Sequence, residues 1–155
     1  MKLTTKGRYA VSAMADIAAS AKRPVALSDV ALRQGISLSY LEQLFLKLRR
    51  AGLVVSERGA AGGYDLAAAA ADIRVSDIVA AVDEEIKTTA CASGSSIGCR
   101  GTSARCLTHD LWDELGRQID IFLSAVSLED VIAKRVLGMA AVNVPERPIL
   151  TEETV

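Results

Sequence analysis

All three cysteines and the single histidine of this 155-residue chain fall within nineteen consecutive positions, as Cys91, Cys99, Cys106 and His109. Thiolate and imidazole are the ligand types that zinc and iron-sulfur clusters select, so these four residues form a candidate metal-ligand set. The residues between them are mostly Gly, Ser, Thr and Ala. Cys106 and His109 are three positions apart, a spacing that places two side chains on one helix face. They are therefore expected on the first turn of a long helix, with Cys91 and Cys99 supplied by the loop before it. Residue types alone leave two chemistries open. One is an iron-sulfur centre with one imidazole ligand, more oxidising than an all-thiolate one; the other is a closed tetrahedral zinc site that only braces a structural or interaction module. An odd cysteine count without the even spacing of a disulfide framework fits a reducing, cytoplasmic compartment.

The elements that must position these ligands are legible from periodicity. Thr4 is the expected cap of a first helix with Tyr9, Ala13, Met14, Ile17 and Ala18 on its apolar face, ended near Pro24. Ser28 is the expected cap of a short second helix stopped at Gly35, and a third runs through Leu41, Leu44, Phe45 and Leu48 to Gly52. Helix, glycine turn and a helix with polar residues on its first turns is the arrangement that sets a recognition helix in a major groove. The period then becomes extended over 53–58, followed by Gly59-Ala60-Ala61-Gly62-Gly63 and Tyr64-Asp65-Leu66, which reads as a hairpin wing. Ser76 is the expected cap of a fourth helix. Beyond the cysteines, Leu107, Leu111, Leu115, Ile119, Phe122 and Val126 recur at helical spacing. Trp112 and Leu123 widen that face beyond what a small domain covers, which implies packing against the same helix of a second chain. Ser127 begins a last helix through Val131, Ile132, Val136 and Leu137. The fold class expected is thus mainly α with a small β-hairpin wing, a winged helix-turn-helix plus a long dimerisation helix. Residues 1–83 form the DNA-binding region, 84–106 the metal loop, 107–137 the dimerisation helices and 138–155 a flexible tail.

Charge agrees with that division. Residues 1–58 carry ten Lys or Arg against four Asp or Glu, and residues 59–155 carry eight against fifteen. A basic half suits phosphate neutralisation on double-stranded DNA. On the third helix, Gln43 can pair with adenine and Glu42 can accept from a cytosine amino group or reject wrong sites by repulsion. Ser39 and Tyr40 share that polar face. Ser39 and Glu42 also have capping-box spacing, which leaves a purely structural role open. Lys6, Arg8, Lys47, Arg49 and Arg50 are placed as phosphate contacts, Arg58 at the wing root as a groove contact, and Gly62 and Gly63 as the close-approach residues of the wing. Half of the residues are hydrophobic, yet charged residues interrupt every apolar run well before the roughly 18 residues of a membrane span. No signal peptide, Cys-x-x-Cys motif, nucleotide loop or acid-base pair is present, so the chain is not read as an enzyme or a membrane protein.

Four segments carry a specific resemblance: LTTKGRYAV at 3–11, GISLSYLEQL at 35–44, RGAAGGY at 58–64 and AVDE at 81–84. Together they closely resemble the IscR branch of the Rrf-type transcription regulators, and the likeness extends over about residues 1–137. It implies a homodimeric winged-helix repressor and activator that binds a 2Fe-2S cluster and controls iron-sulfur cluster assembly genes, with the assembly machinery as cluster donor. The branch's three cysteines and histidine map onto Cys91, Cys99, Cys106 and His109. In the branch one class of promoter requires the cluster-loaded form and another also accepts the cluster-free form. One departure is the ligand loop, where seven and then six residues separate the cysteines, a wider spacing than is common in the branch. Small polar residues lengthen such a loop cheaply, because closure entropy grows only logarithmically with length.

Overall fold

The computed structural model describes residues 5–83, 88–89 and 105–138. Six helices and one antiparallel hairpin follow in the order α1 (Thr5–Ala19), α2 (Leu27–Gln34), α3 (Leu38–Arg50), β1 (Val54–Glu57), β2 (Gly63–Leu66), α4 (Val75–Ala81), α5 (His109–Ala125) and α6 (Leu128–Ile132). Mainly helical architecture with a wing is as expected from the sequence. Thr4, Cys91, Cys99 and the segment 139–155 lie outside the described residues.

Helix α1 buries Gly7, Ala10, Ala13, Met14 and Ile17, a stripe of i, i+3, i+6, i+7 and i+10 spacing that faces one core. Tyr9, expected on that face, sits instead on its flank, 36% exposed, and meets Tyr40 edge to face at 6.0 Å. Helix α2 begins two residues earlier than the Ser28 cap predicted. Ala26 is its N-cap and accepts from the amides of Asp29 and Val30, because Leu27 and Val30 must both reach the core. Gly35 ends the helix in the left-handed region at φ 64°, its amide returning to the Ala31 carbonyl, a conformation that costs glycine little.

Helix α3 is capped by Ser37, whose Oγ accepts from the Tyr40 amide at 3.3 Å. The Ser39–Glu42 capping box is therefore not formed. Ile36 just before the cap and Leu41 are both buried in the main core, the hydrophobic staple that fixes where a helix enters. Beyond it, β1 and β2 pair from Val54 with Leu66 to Glu57 with Gly63. Val25 adds an unanticipated isolated bridge to β2, exchanging backbone hydrogen bonds of 2.9 and 2.8 Å with Tyr64. The Tyr64 ring in turn packs on Phe45 at 4.9 Å, so the wing is fastened to the helix beside it.

Helix α4 starts at Val75, not after a Ser76 cap, because the preceding residues pair with the far end of the chain. Val75 donates to the Val126 carbonyl at 3.0 Å and Leu128 donates to that of Ile73 at 2.9 Å. Ser127 caps α6 through a reciprocal box with Asp130, as its sequence suggested. The helix stops at Ile132, sooner than the periodicity implied, and Lys134 follows at φ 56°. Leu128 is fully buried in the same core as Met14 and Phe45. Burying such side chains stabilises by about 1.5–3 kcal/mol each, so α6 belongs physically to the winged-helix body although it lies last in sequence. The C-terminal end of α5 is thereby anchored there.

Asp16 on α1 ties the helix-turn-helix to this body. Its side chain, 6% exposed, accepts from Arg33 Nε at 3.0 Å and from Gln34 Nε2 at 2.8 Å. The Arg33 hydrogen bond holds the Asp16 carboxyl below the ordinary carboxylate range, against the opposing effect of its burial. A lowered folded-state pKa contributes stability that is full above the unfolded value and disappears as pH falls through the folded one. Replacing Asp16 by Asn should cost about 1 kcal/mol at neutral pH, a modest figure because Arg33 is half-exposed. Urea midpoints should show the wild-type advantage vanishing below pH 4; a gap constant down to pH 3 would refute this role.

Candidate nucleic-acid interface and metal centre

The inner stripe of α3 (Leu41, Leu44, Phe45 and Leu48) is buried. With that face fixed, Ser39, Glu42, Gln43, Leu46, Arg49 and Arg50 turn to solvent, as the sequence reading required. Tyr40 is half-buried against Tyr9. The basic last turn of α3, containing Lys47, Arg49 and Arg50, complements the negative end of the helix dipole. Lys47 differs from its neighbours. Its Nζ is 2.6 Å from Asp83 Oδ2, so the structure gives it an intramolecular partner.

The wing is fastened to the inner face of α3 through Tyr64 and Phe45. Arg58 is exposed at the end of β1, and the loop turns through Gly59, whose carbonyl accepts from the Gly62 amide at 3.0 Å. Gly62 and Gly63 have a structural reason to be glycine. A Cβ on Gly62 would collide with the Glu57 and Gly59 carbonyls, and one on Gly63 with the Val25 backbone. Arg23, which the sequence reading had not singled out, pairs with Asp65 of β2 at 3.2 Å and helps hold the wing root.

The ligand end is built on α5. Cys106 lies before the helix, not on its first turn: Thr108 is the N-cap and His109 the first helical residue. The Cys106 carbonyl instead accepts from the His109 amide at 3.0 Å, closing a turn that keeps the two residues together at the N-terminal end of α5. Cys106 is half-buried with its thiol free of any disulfide, and Thr108 Oγ1 lies 3.7 Å from its sulfur. His109 is only 8% exposed and is the single fully buried residue of α5. A soft sulfur donor and a buried imidazole on one tight turn fit a zinc or iron-sulfur centre. Among the described residues no set of three ligating side chains comes together, since Cys91 and Cys99 lie outside them.

Two further features of α5 matter. Leu107, Leu111, Trp112 and Ile121 are exposed, and Leu115, Ile119, Phe122 and Leu123 are half-buried. Thr88 packs into the notch at Gly116, where an added Cβ would lie 2.5 Å from its Oγ1. A glycine inside a helix costs about 1 kcal/mol relative to alanine. Gly116 was thus a readable signal of close approach.

A helix-turn-helix with a fastened wing and a recognition helix presenting polar and basic residues defines a winged-helix transcription regulator. The chain belongs to the Rrf2 family, whose description is iron-dependent transcriptional regulator and whose pattern matches residues 3–134. It is 55% identical over 133 residues to the HTH-type transcriptional regulator IscR of Vibrio atlanticus (strain LGP32), covering 85% of this chain and 75% of that protein. A putative HTH-type transcriptional regulator, ORF2, of Azotobacter vinelandii is 53% identical over 135 residues, 86% of this chain and 80% of its own length. Among solved structures, T. potens IscR superposes with a TM-score of 0.68 at 37% identity, over 87% of this chain and 88% of that one. CymR (YrzC), the global cysteine regulator of B. subtilis, superposes with a TM-score of 0.71 at 30% identity, over 86% and 98% of the two chains. The chain is accordingly a DNA-binding transcription regulator of the IscR type and not an enzyme. Among the described residues no helix is long and apolar enough to cross a membrane.

The wing's attachment can be tested by volume alone. Gly63→Ala forces a methyl group into the Val25 backbone and should lower stability by about 2 kcal/mol or more. Gly35→Ala, where open space surrounds the new Cβ, should cost only about 1 kcal/mol from its positive φ. Equal losses in thermal unfolding would show that Gly63 is not sterically required.

Proposed function

We propose that this chain is a homodimeric regulator that binds a 2Fe-2S cluster through Cys91, Cys99, Cys106 and His109 and controls iron-sulfur cluster assembly genes according to cluster supply. The observation that carries the reading is the Cys106–His109 turn, which sets a half-buried thiol and a buried imidazole at one end of α5. Chain length supports adding Cys91. Gly116, where Thr88 packs, is two helical turns from His109, roughly 10 Å. Cys91 is three residues beyond Thr88, a span of up to about 10 Å. A thiolate-ligated cluster would supply a redox-sensitive, oxygen-sensitive cross-link between the loop and α5. The iron-sulfur assembly machinery is the matching donor, and the IscR name of the 55% identical relative agrees with iron over zinc.

DNA is read by the exposed face of α3, with Gln43 pairing to a base edge and Arg49, Arg50 and Lys47 neutralising phosphates. Because Ser37 caps the helix, Glu42 has no capping role to fill. It stays exposed in a basic surface, where its carboxylate selects against promoters that the cluster-free protein should leave. Arg58, Gly62 and Gly63 bring the wing to the adjacent backbone. The exposed apolar residues of α5, Leu111, Trp112 and Ile121 above all, are the surface for the same helix of a second copy. Residues 84–106 then act as the ligand loop and 138–155 as a tail with no role in either site.

Anaerobic purification followed by visible absorption and by iron and sulfide analysis tests the cofactor. Wild-type protein should be coloured, with two iron and two sulfide per chain expected for one 2Fe-2S centre. Cys106→Ala should lose the absorbance while keeping its helical circular dichroism and dimeric mass. Colourless wild-type protein containing zinc, with unfolding of Cys106→Ala, would replace the cluster reading by a structural zinc site.

A further inference from the structure

Among the described residues, Lys47 is the one basic residue of the last turn of α3 that is tied to an acid elsewhere in the fold. Its partner, Asp83, follows α4 and stands at φ 55°, in the left-handed region, with its side chain 75% exposed. The contact of 2.6 Å is a direct charge-assisted hydrogen bond. Lys6 of α1 also acts on the same carboxylate through space, and the two lysines hold Asp83 below the ordinary carboxylate range, Lys47 first. A carboxylate so placed imitates what a lysine on a recognition helix meets on a duplex, a phosphate oxygen.

Asp83 also precedes Cys91 by only eight positions. Thr88, between them, is seated on Gly116 of α5. Ahead of the first cysteine, Asp83 is thus paired with α3 and Thr88 is packed on α5.

We propose that Asp83 is a positioning residue for DNA binding: its carboxylate occupies Lys47 as an internal substitute for phosphate, and its place ahead of Cys91 links that latch to the ligand loop. This inference rests on the reading of α3 as the DNA-binding helix. DNA must displace Asp83 to recruit Lys47. Any change in the loop that withdraws Asp83 raises affinity by releasing a cation, without new contacts to bases.

The test uses the full-length, cluster-free chain and a random-sequence duplex, titrated at several salt concentrations. Asp83→Asn preserves side-chain volume, and Asn tolerates the left-handed backbone at least as well as Asp, so only the charge is removed. The variant should bind about 2- to 5-fold more tightly, with a salt slope steeper by about 0.9 for one additional phosphate contact. In a Lys47→Met background the same Asp83→Asn change should have no effect on affinity or slope. An unchanged slope in Asp83→Asn, or a gain that persists without Lys47, would overturn the latch while leaving the interface reading intact. Wild-type protein that does not bind the duplex at all would overturn the interface reading and the latch with it.

Discussion

Burial of the inner stripe of α3 is the constraint on which the rest of this molecule depends. Leu41, Phe45 and Leu48 are inaccessible to solvent, and a 3.6-residue period allows a helix fixed along one stripe to offer only its other side. The rotation of α3 therefore decides that Gln43, Glu42 and the arginines of its last turn are presented together. The same packing places Phe45 against Tyr64, so the wing inherits its position from the helix. Asp16 and Arg33 lock α1 to α2 across the turn. The exposed face of α3 is held in place because its back is packed into the core.

The chain closes on itself in a way that joins this surface to the ligand end. Backbone bonds from Val75 to Val126 and from Leu128 to Ile73 stitch the two ends of the α4–α6 region together. Leu128 then enters the core already occupied by Phe45. Helix α5 is consequently held at its C-terminal end by the DNA-binding body, while its N-terminal end carries Cys106 and His109. Forces applied at that N-terminal end reach the body along the helix itself. Coupling between sites needs such a physical connection and two states that the ligand distinguishes. The described structure contains the first, and the cluster is the proposed source of the second.

Much of this was legible in the sequence because it depended on local patterns. Gly35, the α3 stripe, the glycine-rich wing and the Ser127 cap are signals a few residues long, and each appeared where expected. What escaped depended on partners distant in the chain. Val25 is unremarkable until Tyr64 lies beside it, and Val75 begins α4 because Val126 accepts its amide. Ser28 and Ser76 were attractive caps by type, but core burial of Leu27 and the pairing around Arg74 moved both helix starts. The Cys106–His109 spacing correctly suggested proximity, yet the pair is joined by a turn ahead of the helix. Lys47 was readable as a basic surface residue, but nothing local reveals its partner Asp83, thirty-six positions away.

The central claim is that occupancy of the ligand set changes how α3 engages DNA. The most direct measurement is anaerobic titration of one preparation, before and after removal of its cluster, onto promoter DNA of iron-sulfur assembly genes at fixed salt. A coupling free energy of about 1–3 kcal/mol, which is roughly a 5- to 150-fold difference between the two forms, is the result predicted. Equal affinities of the two forms would contradict it.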